Sequence, residues 1–172
     1  MKRRGLLSAT AFALSGCASL GPPQTPPDLA GRLAVRIDAT AQAPARSFSA
    51  EFDLRGNADR GTLRLTGPLG ATLAEVRWQP GRAELADAQG MRAYGTLDAM
   101  AQDLFGEALP LVALIDWLRG RPWPGEPHVK RDDGFEQLGW RIGLGGFAEG
   151  LLQATRDSAP AVSVRARLEK PA

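Results

Sequence analysis

Few side chains in this 172-residue sequence could perform covalent chemistry. It holds one cysteine, Cys17, and one histidine, His128. No Ser-His-Asp or Cys-His arrangement can be built from so small a stock, and no cysteine or histidine spacing matches a metal site. Asp132-Asp133 could in principle act as an acid–base carboxylate pair, but Gly134 follows, and Asp-Asp-Gly reads as a hairpin turn. His128 follows Pro127 at the start of a strand and reads as a solvated or edge residue. Gly143, Gly145 and Gly146 fit no phosphate-binding loop and read as a bend in a strand. The residue inventory therefore argues against an enzyme, and no metal or other cofactor is expected.

Acylation is the one reaction the sequence does favour. Lys2, Arg3 and Arg4 precede an apolar run from Gly5 to Leu14, and Leu14-Ser15-Gly16-Cys17 closes the segment. That is the build of a secretory signal peptide, too short to span a bilayer as a stable helix. A cysteine directly after Leu-Ser-Gly resembles the bacterial lipobox, in which cleavage between the positions of Gly16 and Cys17 leaves the cysteine as the acylated first residue. An ordinary cleaved signal with a chance cysteine is the competing reading. Two acyl chains already hold a protein stably on a membrane, at roughly 0.8 kcal/mol per buried methylene. In the lipoproteins this start resembles, an aspartate after the cysteine favours retention in the inner membrane, so the resemblance makes Ala18 compatible with delivery to the outer membrane.

Removing residues 1–16 from 172 leaves 156, enough for one domain with a real core. The same cut lowers the basic count from 21 to 18, against 19 acidic residues. A near-neutral domain with scattered basic residues gives no electrostatic case for nucleic acid. Residues 17–29 carry Pro22, Pro23, Pro26 and Pro27 and read as an extended tether. Residues 30–172 are expected to form the folded body.

In that body a period of two dominates. Leu33, Val35 and Ile37 share one side of a strand, and Phe48, Ala50, Phe52 and Leu54 repeat the pattern. Leu63 and Leu65, then Ala74, Val76 and Trp78, continue it, with short strands expected near 82–86 and 91–94. The middle changes period. Leu97, Met100, Ala101 and Leu104 fall at helical spacing, and Gly106 is a natural stop. Pro110 fits the first turn of a second helix with the stripe Leu111, Leu114, Ile115 and Leu118, ended by Gly120 and Pro122. Strands are expected again at 128–131, 135–144, 151–155 and 161–168. The fold class is mainly β with α: a strongly curved antiparallel sheet, an incomplete barrel, covered by short helices that enclose an apolar space.

One loop stands out. Gly67-Pro68-Leu69-Gly70 fits a tight turn with proline second and glycine fourth, which sets Leu69 at the tip. An exposed leucine forgoes roughly 1.5–3 kcal/mol of burial. Isolated exposed leucines are also common and need no function.

Taken together, the lipobox, Thr66-Gly67-Pro68-Leu69-Gly70, the run Leu97–Leu118 closing on Gly120-Arg121-Pro122, Trp117, and Gly139-Trp140-Arg141-Ile142 resemble the LolB family. The resemblance covers about Gly31 to Leu168. It implies an outer-membrane receptor, lipid-anchored and facing the periplasm. Such a receptor takes acylated lipoprotein cargo from a soluble periplasmic carrier, binds the acyl chains in an apolar cavity and inserts the cargo into the outer membrane. It implies contact with outer-membrane phospholipid through Pro68, Leu69 and Gly70, and a monomer. Candidate cavity residues are Phe48, Phe52, Leu65, Val76 and Trp78 from the sheet, with Met100, Leu104, Leu114, Ile115 and Trp117 from the helices. Plain core is the alternative role for each. Members of the family have an amphipathic helix before the first strand, for which Thr25–Gly31 leaves too little room. A lipid-anchored scaffold or assembly factor, binding another envelope protein through the same surface, is the competing function.

Overall fold

A computed structural model describes residues 27–169. The signal segment, Cys17 and most of the tether lie outside the described residues. Eleven strands form one antiparallel sheet: β1 (Leu29–Ile37), β2 (Arg46–Gly56), β3 (Gly61–Thr66), β4 (Thr72–Gln79), β5 (Arg82–Asp87), β6 (Gly90–Tyr94), β7 (His128–Arg131), β8 (Gly134–Gln137), β9 (Trp140–Gly143), β10 (Leu151–Arg156) and β11 (Val162–Leu168). Two helices, α1 (Leu97–Phe105) and α2 (Leu111–Trp117), occupy the link between β6 and β7.

The order across the sheet is β6-β5-β4-β3-β2-β1-β11-β10-β9-β8-β7. Hairpins generate each half, and the first and last strands stitch the halves together with Val35 opposite Val164. β6 and β7 remain as edges, so the curved sheet is an unclosed barrel. Because the helical segment runs from one edge to the other, it lies across the opening.

The alternation read from the sequence sets the faces. In β2, Ala50, Phe52 and Leu54 are buried while Ser49 and Glu51 are exposed. Leu97, Met100 and Ala101 of α1 and Ala113, Leu114, Ile115 and Trp117 of α2 share one core with these inward residues. Thr96 caps α1 by accepting the Ala99 N–H at 3.0 Å, and Gly106 ends it in the left-handed conformation. Pro110 stands just before α2 as its N-cap rather than inside its first turn.

One expected strand divides. Residues 135–144 do not run straight: β8 and β9 pair as a hairpin, with Gln137 opposite Trp140. The turn is Leu138-Gly139, with φ of 54° and 76°. Leucine rarely adopts that conformation, and Leu-Gly lacks the Asn-Gly signature of such turns, so local composition concealed the break. Asp132-Asp133 does form the preceding turn, joining Arg131 to Gly134. Of the three late glycines, Gly143 ends β9, while Gly145 and Gly146 lie in the connection to a 3-10 turn at Phe147–Glu149.

Candidate functional site

Between the sheet and the helices lies an apolar cavity of about 290 Å³. Its walls come from β1 (Leu33, Val35), β2 (Phe48), β3 (Leu63, Leu65), β4 (Leu73, Ala74, Val76), β5 (Leu85, Asp87) and β11 (Val164). The cover is Met100, Leu104 and Phe105 of α1, Leu109 of the link, and Leu111 and Leu114 of α2. The period-two pattern delivers the strand residues, since alternate positions on neighbouring strands converge on one face. The 3.6-residue period delivers Met100 and Leu104, one turn apart.

Six of the ten residues singled out from the sequence line this space: Phe48, Leu65, Val76, Met100, Leu104 and Leu114. Phe52, Trp78, Ile115 and Trp117 do not; all four are buried in the core. Trp78 is held at the β2–β3 turn, where its indole N–H donates to the Asn57 carbonyl at 2.9 Å. Trp117 donates to Gln137 Oε1 at 2.8 Å, facing β8. Large aromatic side chains with a polar atom follow their hydrogen-bond partner, and a partner distant in sequence cannot be read from periodicity.

Ten apolar wall residues were missed, Leu33, Val35, Leu63, Leu73, Ala74, Leu85, Phe105, Leu109, Leu111 and Val164, although Leu33, Val35, Leu63, Ala74 and Leu111 already belonged to the periodic patterns. Asp87 was missed as well. It ends β5 and is the one ionisable side chain on the wall. The Gln89 N–H, donating to it at 2.8 Å, and the Arg92 guanidinium hold its carboxyl below the usual carboxylate range against the opposing effect of burial. Arg92 also reaches Asp103 of α1 at 3.3 Å, and the Tyr94 hydroxyl donates to the same carboxylate at 2.7 Å. This cluster fastens α1 to the β5–β6 edge of the sheet.

The loop between β3 and β4 lies beside the cavity. Gly70 N–H donates to the Gly67 carbonyl at 3.0 Å, closing the turn, and Gly67 N–H donates to Ala71 O at 2.9 Å. Gly70 has φ of 78°, which the glycine permits without a Cβ clash. Leu69, at the tip, is 97% exposed. Leu65 and Leu73, which flank the loop, are wall residues, and Leu73 is itself 40% exposed. Apolar cavity residues therefore stand at both ends of the loop. His128 is exposed, and no cluster of metal-binding side chains occurs among the described residues.

An unclosed antiparallel barrel with a helical cover over an apolar cavity is the class of fold these residues build, and cavities of that kind are typical sites for apolar ligands. The family model described as "Outer membrane lipoprotein LolB" matches residues 28–158. Relatives named outer-membrane lipoprotein LolB include that of Chromobacterium violaceum, 34% identical over 83% of this chain and 82% of its own length. That of Bordetella petrii is 34% identical over 89% of this chain and 85% of its own, and that of Halorhodospira halophila 33% identical over 84% and 79%. The chain belongs to the LolB family of outer-membrane lipoproteins, which are localisation factors and not enzymes. No helix among the described residues is long and apolar enough to cross a membrane.

Proposed function

We propose that this protein is a receptor that takes lipoproteins from a periplasmic carrier, shelters their acyl chains in the cavity and releases them into the outer membrane. Cys17 is the acylated anchor, residues 17–29 are the tether, and residues 30–172 are the binding domain. The protein works as a monomer facing the periplasm. The observation that carries the reading is the apolar cavity of about 290 Å³ with a fully exposed leucine on the adjoining loop.

Energetics dictate how such a transfer runs. Three chains of about fifteen methylenes, fully exposed, would cost on the order of 35 kcal/mol. Release into water followed by recapture is therefore far too slow. The chains must pass from one apolar cavity directly to another, then to the bilayer. With no ATP in the periplasm, each handover has to be level or downhill. The cavity must hold chains better than the carrier does and less well than the membrane. Leu69, dipping into the interface, opens lipid packing where the chains leave.

Mixing Cys17→Ala protein without residues 1–16, which has neither the signal segment nor a cysteine to acylate, with a complex of carrier and acylated lipoprotein tests the reading. Cargo should move to the variant, detected by co-elution. A scaffold that binds envelope proteins through the same surface would leave the cargo on the carrier.

A further inference from the structure

The cavity has a neighbour. A second, more open space of about 340 Å³ shares four lining residues with it: Val35, Phe48, Leu104 and Phe105. The rings of Phe48 and Phe105 stand edge to face between strand and helix, with centroids 6.2 Å apart and planes at 67°. Both are only half-buried, unlike Met100 on the same helix. Phe105 is also the last residue of α1, directly before the left-handed Gly106. A side-chain ring moves between staggered rotamers by rotation about its own χ angles, which leaves the backbone hydrogen bonds of the helix in place.

We propose that the Phe48–Phe105 pair is a movable partition that sets the length of acyl chain the protein holds. The inference rests on the reading that the cavity takes acyl chains. A cavity of about 150 Å³ holds one benzene ring, so by the same ratio the first chamber takes roughly a dozen chain carbons. That falls short of a chain of about fifteen methylenes, and the adjoining space of about 340 Å³ offers room for the remainder. A full-length tail is therefore housed only when the rings part and the chambers join.

Chain-length dependence tests the partition. Decanoyl glycerol and hexadecanoyl glycerol are titrated, below their aggregation limits, against wild type, Phe105→Ala and Phe48→Ala, each as the full chain. Each methylene that finds apolar space tightens binding roughly fourfold. With the partition removed, the preference for hexadecanoyl over decanoyl glycerol is expected to rise about tenfold or more above that of wild type. Either variant gives the result if the other does not fold. Equal changes for the two probes, or no change for either, overturn the partition and leave acyl binding intact. A wild-type protein that binds neither probe overturns the acyl-chain reading and the partition with it.

Discussion

The indole N–H of Trp117 donates to Gln137 Oε1 at 2.8 Å, joining α2 to β8 within the core. Gln137 is 2% exposed, yet its polar atoms are all used. Oε1 also accepts the Trp123 N–H at 2.9 Å, while Nε2 donates to the carbonyls of Trp123 and Glu126, each at 2.7 Å. One amide thus fixes the end of the helical cover and the proline-rich loop behind it. Gln137→Leu keeps the bulk but strands these groups, at roughly 1–3 kcal/mol for each one left buried without a partner. Urea denaturation is expected to show a loss of several kcal/mol, and an unchanged midpoint would contradict this role.

Leu69 calls for the opposite result. At 97% exposure it contributes nothing to packing, so Leu69→Glu is expected to change stability by less than about 0.5 kcal/mol. Cargo capture from the carrier should persist while delivery to liposomes stops. Delivery at the wild-type rate would remove the membrane role of that leucine.

Leu138 carries backbone strain in a two-residue turn that asparagine tolerates far better. Leu138→Asn creates Asn-Gly in place of Leu-Gly. It is expected to raise stability by about 0.5–1 kcal/mol, since the left-handed conformation costs leucine roughly 1–2 kcal/mol. Destabilisation on substitution would instead show that the side chain, though 43% exposed, has a packing role.

The Asp87 cluster predicts an acid-sensitive cover. A carboxyl whose pKa is lowered on folding contributes stability above its ordinary value of 3.8, and that stability is lost as pH falls through the folded value. Asp87→Asn should therefore flatten the acid limb of stability against pH, most visibly below about pH 4. An identical acid limb in the variant would show that Asp87 does not link pH to folding.

Much of the fold was legible because strand faces and helix stripes are periodic. Val35, Phe52 and Val76 had to point inward wherever their strands ended up. The Gly67–Gly70 turn was equally local, since proline and glycine restrict φ through their own covalent structure. Leu138-Gly139 was not legible, because a turn held by the surrounding sheet leaves no compositional mark.

Alone, the sequence determined the alternating strands, the two short helices and the turn that exposes Leu69, all set by residue type and spacing along the chain. Tertiary structure decided which inward residues surround empty space and which are packed solid. Phe48 and Phe52 sit on the same face of β2, yet Phe48 lines the cavity and Phe52 is in the core. What separates them is the volume left where a short helical cover spans the open side of a curved sheet. That volume depends on the distance between elements far apart in sequence, and no local pattern encodes it.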